Sequence, residues 1–222
     1  MALLILLGWQ TPGRARSTSA DASICDPVAD YYLGLEDYTK TLQLHEEIIR
    51  RHPNFALAYY HLGFVYGELG DHHRELVDYQ KAVDLGLNDW DLFLNLGRLY
   101  LETDHLEQAT GTFRLAALLG PYRPETHYNL GLAYERAGLF QQAEQEILLS
   151  LRLKPDQDEA RNTLATIYAE RGDYPRAHKE WEELTRSDPG YQPARKNLAL
   201  LRQAESGKAG GAAQFGNFFK AP

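Results

Sequence analysis

The chain has 222 residues, enough for one domain or a short array of small units. Hydrophobic residues make up 44% of it, which excludes the composition of a disordered chain. The formal net charge of −8, with both signs interspersed, argues against a nucleic-acid binder, and the single cysteine excludes an internal disulfide or a multi-cysteine zinc site.

In chain order, the first segment is a leader at 1–21. Its apolar run, Ala2 to Trp9, is about eight residues long, whereas a membrane-spanning helix needs roughly twenty. It has the character of the apolar centre of a secretory signal, and Ala20-Asp21-Ala22 is a small-x-small site at a suitable distance. No Lys or Arg precedes the run, while Arg14 and Arg16 follow it. A signal sequence and a disordered end both fit, so an exported or periplasmic location and a cytoplasmic one stay equally open. Cys25 lacks the neighbours of a lipoprotein site and is expected to be packed, not nucleophilic.

From Ala22 the chain repeats itself every 34 residues, a period that marks stacked structural units. The repeats fall at 22–55, 56–89, 90–123, 124–157 and 158–191. Their eleventh position reads Tyr32, Tyr66, Tyr100, Tyr134 and Tyr168, and their eighth reads Ala29, Gly63, Gly97, Gly131 and Ala165. Positions 4, 7, 8 and 11 share one face of a helix. Gly or Ala at position 8 lets a second helix approach closely. Positions 17, 20, 24 and 27 form the facing stripe of that second helix, as in Phe140, Ala143, Ile147 and Ser150. Between the two stripes stand Gly70, Gly138 and Gly172, suited to the left-handed backbone of a helix end. At position 32, Pro53, Pro121, Pro155 and Pro189 stop the second helix. Each unit therefore reads as helix, tight turn, helix, stop. Repeat one is degenerate at Cys25, Glu36 and Thr41. Repeat two has Glu75 where a small residue is usual and Leu87 where proline is usual, with Gly86 placed to end the helix instead.

This pattern, clearest in HYNLGLAYERAGLFQQAEQEILLSLRLKP, resembles the tetratricopeptide repeat family over roughly residues 22–205. The resemblance implies an all-α fold: a right-handed α-solenoid of about five helix-turn-helix repeats plus a C-terminal capping helix. The cap is expected at 192–205, with Ala194, Leu198 and Leu201 inward and Arg195, Lys196, Arg202 and Gln203 outward. The tail at 206–222 is rich in Gly and Ala and is expected to be disordered. Phe215, Phe218 and Phe219 in it are either a floppy end or a short docking motif.

Little in the sequence points to chemistry. Gly207-Lys208 lacks the rest of a phosphate loop. HEEII at 45–49 begins like a zinc-protease helix but has Ile49 where the second histidine must stand. His72 and His73 diverge by about 100° on a helix and read as a solvated turn pair. Glu144 and Glu146 read as solvated face, not as an acid–base pair. The expectation is a non-enzymatic protein without cofactor or metal.

Such an array binds. The resemblance implies that positions 2, 5, 6, 9, 12 and 13 of each first helix line a concave groove. The partner-binding candidates there are Tyr60, Phe64, Asn95, Arg98, Tyr128, Asn129, Leu132 and Asn162. Aromatics offer large contact area at low entropic cost, asparagine amides can bond an extended backbone, and Arg98 can grip a carboxylate. Tyr at position 5 and Asn at position 6 are also usual in the family as packing residues, so that role stays open beside binding. Family members that hold acidic chaperone tails carry a Lys, Asn and Arg clamp that no window of this sequence supplies. The expected function is a scaffold or adaptor that holds a peptide segment or helix of a partner protein, with neither nucleic acid nor small-molecule substrate. An exported or membrane-tethered assembly factor for an envelope complex is the alternative, and an accessory fragment of an enzyme is less favoured. Self-association through repeat edges is open, as is membrane attachment.

Overall fold

The structure is a computed structural model that describes residues 26–205. The leader, Cys25 and the tail at 206–222 lie outside the described residues, and so do the expectations attached to them.

Among the described residues there are eleven α-helices and no strand. Repeat one gives α1 (Pro27–Gly34) and α2 (Tyr38–Arg51), and repeat two gives α3 (Ala56–Glu68) and α4 (His72–Asp84). Repeat three gives α5 (Trp90–Glu102) and α6 (Leu106–Leu119), and repeat four gives α7 (Pro124–Arg136) and α8 (Phe140–Leu153). Repeat five gives α9 (Asp158–Glu170) and α10 (Tyr174–Ser187), followed by α11 (Gln192–Glu205). Helices α2, α6, α8 and α10 each stop two residues before Pro53, Pro121, Pro155 and Pro189, where the missing N–H ends the hydrogen-bond ladder.

The chain divides into two compact units, the first ending at Leu99 and the second beginning at Tyr100. The sequence suggests one continuous array over 22–205; the division falls inside α5, not at a repeat boundary. In the first unit α1 packs on α2, α2 on α3 and α3 on α4. In the second unit the chain of neighbours runs from α6 through α7, α8, α9 and α10 to α11.

The turn between paired helices has one recurring geometry. Its residue is left-handed at Gly70 (φ 75°), Gly138 (71°) and Gly172 (78°), and the same backbone is adopted by Glu36 (60°) and Asp104 (63°). The turn is fixed by its bonds as well as by its residue: Asp37 N donates to Tyr32 O at 3.1 Å just as Asp71 N donates to Tyr66 O at 2.9 Å. The aspartate that follows then caps the next helix. Asp37, Asp71 and Asp173 accept from the backbone N–H of Lys40, Arg74 and Arg176. Repeat two ends differently, as its sequence suggests. Gly86 is left-handed at φ 89°, and Leu87 N reaches back to Ala82 O at 3.0 Å, closing α4 without a proline.

The core follows the repeat. Position 24 is fully buried in all five repeats, as His45, Tyr79, Phe113, Ile147 and Trp181. Position 20 is buried beside it, as Thr41, Glu75, Ala109, Ala143 and Ala177. Burying one large side chain of this kind contributes roughly 1.5–3 kcal/mol, which helps offset the entropy of ordering the unit. Helix α11 caps the second unit as expected: Ala194, Leu198 and Leu201 are buried, while Arg195, Lys196, Arg202 and Gln203 are exposed. No described helix is long and apolar enough to cross a membrane.

Candidate functional site

The first helix of each repeat carries the candidate binding face. In the first unit, α3 supplies Tyr60 and Phe64 and α5 supplies Asn95 and Arg98. The Tyr60 hydroxyl donates to Asp91 Oδ2 and accepts from Asn95 Nδ2 at 3.1 Å, and its ring stacks on Tyr79 with centroids 5.9 Å apart. Burial, reinforced by the charge of Asp91, pushes the Tyr60 phenol well above its ordinary range. Asn95 is 4% exposed and Arg98 9%. The Asn95 carbonyl Oδ1 meets no donor among the described residues. Phe64 is half-buried.

In the second unit, α7 supplies Tyr128, Asn129 and Leu132, and α9 supplies Asn162. Tyr128 packs against the core of repeat five. Burial raises the Tyr128 phenol too. Asn129 Nδ2 donates to Glu125 O in its own helix at 2.8 Å, leaving its carbonyl oxygen turned elsewhere. Leu132 is half-buried. Asn162 is 7% exposed and sits in the core. Its Oδ1 accepts from Trp181 Nε1 at 2.9 Å and from Asn197 Nδ2 at 3.4 Å.

One rule runs through these contacts. Position 5 of one repeat bonds to position 6 of the next, 35 residues on, at Tyr60 and Asn95 and at Asn162 and Asn197. The polar atoms of Tyr60 and Asn162 are thus engaged in holding neighbouring helices together, because a buried polar group must find a partner. Asn162 in particular belongs to the core and not to an open groove. In the first unit Phe64 remains half-exposed while Asn95 and Arg98 are buried, and in the second unit Asn129 and Leu132 remain half-exposed.

Charged groups singled out in the sequence also have partners. Glu144 pairs with Arg171 and with Arg176, the latter at 3.3 Å, and Glu146 pairs with His127 at 2.8 Å. Glu144 is therefore tied into ion pairs and Glu146 is hydrogen-bonded to His127, and neither is merely solvated. His72 stands at an exposed helix start, 3.0 Å from the buried Glu75. The sequence signals no metal ligand, yet Asp30, His45 and His61 converge in the first unit. The available signal was at position 24, where repeat one carries a histidine and the other four carry large apolar or aromatic side chains.

The first unit also has an open pocket of about 620 Å³ between α2, α3 and α4, lined by Glu46, Tyr59, Tyr66, Arg74 and Asp78 among others. Desolvation, aided by the charge of Glu46, moves the Asp78 carboxyl from 3.8 to about 6, against the pull of Arg74. A carboxyl raised in the folded state costs nothing below its unfolded value and its full penalty above its folded one. Stability from this group is therefore lost as pH rises from about 4 through about 6. Asp78→Asn is expected to stabilise the protein by roughly 1 kcal/mol at pH 7, after allowing for solvent screening. The gain should vanish near pH 4 when urea unfolding is followed by circular dichroism.

The profile of the tetratricopeptide repeat family matches residues 94–158 and 162–217, and a second profile of the same repeat matches 56–85. No curated protein matches the sequence. Among solved structures the chain is similar to YrrB, described as a TPR protein with an unusual peptide-binding site, at 18% identity and a TM-score of 0.69, over 80% of this chain and 88% of that one. It is also similar to MamA from Desulfovibrio magneticus RS-1, at 17% identity and a TM-score of 0.66, over 76% of this chain and 99% of that one. A tetratricopeptide repeat protein from Parabacteroides merdae aligns at 20% identity and a TM-score of 0.71, over 82% and 72% of the two chains. At these identities the structural likeness speaks for the fold, and the profile matches, which span more than half of the sequence, speak for the family. With the 34-residue period, the paired helices and the position 5 to position 6 bonds, the chain belongs to the tetratricopeptide repeat family.

Proposed function

We propose that this chain is a non-enzymatic adaptor that holds a peptide segment or helix of a partner protein against the first-helix faces of its repeats. The observation that carries the reading is the half-exposed apolar residue at position 9, Phe64 in the first unit and Leu132 in the second, set over polar side chains already fixed by their own bonds. A rigid apolar anchor beside pre-ordered amides binds with little further loss of entropy. The peptide-binding site described for YrrB supports the same use of this fold. Position 5 contributes by holding each face rigid, while Phe64 in the first unit, and Asn129 and Leu132 in the second, are the side chains that meet a ligand on their own unit.

The test is affinity capture with the whole chain, followed by titration of the captured partner's segment. Phe64→Ala and Leu132→Ala are made separately, and each is checked for unchanged helicity. At least one is expected to weaken binding by about 10-fold or more, as a buried hot-spot side chain does. Equal affinity in both variants would move the binding site off these faces.

A further inference from the structure

Three side chains from three helices of the first unit meet at one point. His45 Nε2, from α2, stands 2.9 Å from His61 Nδ1, from α3. Asp30 Oδ1, from α1, stands 3.3 Å from that His61 nitrogen and 3.9 Å from the His45 nitrogen. Ligand atoms about 2.0–2.1 Å from a tetrahedral zinc ion lie about 3.3–3.4 Å from one another, so the observed triangle has the size of one face of such a site.

The protonation logic points the same way. His45 Nδ1 lies 2.9 Å from Thr41 O, which can only accept. That bond places the His45 proton on Nδ1 and leaves Nε2 with its lone pair directed at the trio. A backbone carbonyl holding the far nitrogen is the usual support of a metal-ligating histidine. His45 is fully buried. His45 Nε2, His61 Nδ1 and Asp30 Oδ1 thus stand close enough together for one cation to meet all three.

The repeats supply an internal comparison. The slot held by His45 is filled by Tyr79, Phe113, Ile147 and Trp181 in the other four. The position held by His61 is Asn95 and Asn129 in repeats three and four and Asn197 in the cap. Asp30 and His45 lie in repeat one and His61 in repeat two, and all three positions that meet in space carry metal-binding side chains.

We propose that Asp30, His45 and His61 form a binding site for a divalent zinc-type ion, with water in the fourth position on the side where Asp30 and His61 are partly exposed. On binding, the His61 proton moves from Nδ1 to Nε2, so both imidazoles ligate as neutral groups. The three ligands tie α1 to α2 and α3.

The test uses the full chain, dialysed against a chelator and titrated with zinc chloride by calorimetry, with cobalt(II) as a spectroscopic substitute. The variants borrow residues that other repeats already carry at the same positions: His45→Phe, as at Phe113, and His61→Asn, as at Asn95. Both are therefore expected to keep wild-type helicity. Wild type is expected to bind one zinc ion per chain and to give the intense visible bands of four-coordinate cobalt. Each variant should weaken binding by roughly 100-fold or more. No zinc heat and no cobalt bands in wild type would overturn the site and leave the trio a hydrogen-bonded cluster. Undiminished binding in both variants would overturn it as well, by placing the metal elsewhere on the chain.

Discussion

Trp181→Ala is expected to destabilise the second unit by about 4 kcal/mol, the scale of emptying a large aromatic slot in a core. Trp181 is fully buried at position 24 of repeat five and lies in the cluster that includes Leu164, Tyr168, Leu184 and Leu198. Two losses combine. The indole volume is vacated between α9, α10 and α11, and Asn162 Oδ1 loses its best donor, keeping only the longer bond from Asn197. Trp181→Phe separates them. It retains most of the ring but not the N–H, and should cost about 1–2 kcal/mol from the weakened bond and the smaller side chain. Urea unfolding followed by circular dichroism reads both values. Against a total stability of about 5–15 kcal/mol, the alanine variant sits close to the edge of folding. Equal effects of the two substitutions would assign the residue's role to the hydrogen bond alone.

Gly63→Val is expected to cost about 3 kcal/mol in the first unit, for the opposite reason. A Cβ at Gly63 would lie 2.6 Å from Cδ1 and 2.7 Å from Cε1 of Tyr79. That ring is fully buried and stacked on Tyr60, so it has nowhere to turn. Alanine ordinarily favours a helix over glycine by about 1 kcal/mol, and here the contact reverses the sign. Gly131 is crowded in the same way: a Cβ there would meet Cδ1 of the fully buried Ile147 at 2.6 Å and its Cγ1 at 2.7 Å. Gly131→Ala is therefore expected to destabilise the second unit as well, which thermal unfolding of the single variant will show.

Much of this fold is legible in the sequence because one period constrains every element. Five tyrosines and five small residues in register place the helix pairs, and the prolines place their ends to within two residues. The turn was legible at Gly70, Gly138 and Gly172. At Glu36 and Asp104 residue type alone does not reveal the left-handed backbone, because the bonds of the turn impose it. The binding face was less legible. A side chain at position 5 or 6 can look outward on a helical wheel and still be committed to the adjacent helix, as Tyr60 and Asn162 are. Such a commitment depends on contacts 35 residues away that a single-helix pattern does not contain. Repeat one, read from sequence as degenerate, places His45 against His61 and Asp30. Departure from a repeat pattern there marks a different local chemistry as well as an end.

The position 5 to position 6 bonds have a consequence for how the chain reaches its native state. Within the second unit, helices pack mainly on their neighbours in sequence, and even the bond from Asn197 Nδ2 to Asn162 Oδ1 spans only 35 residues. Contacts of such short range close small loops at modest entropic cost, which favours fast folding. A helix pair can form while later repeats are still being synthesised, and each completed pair offers its exposed Asn or Tyr as a docking point for the next segment to emerge. The bonds that restrict which side chains can meet a partner are thus also the ones that set the order of assembly.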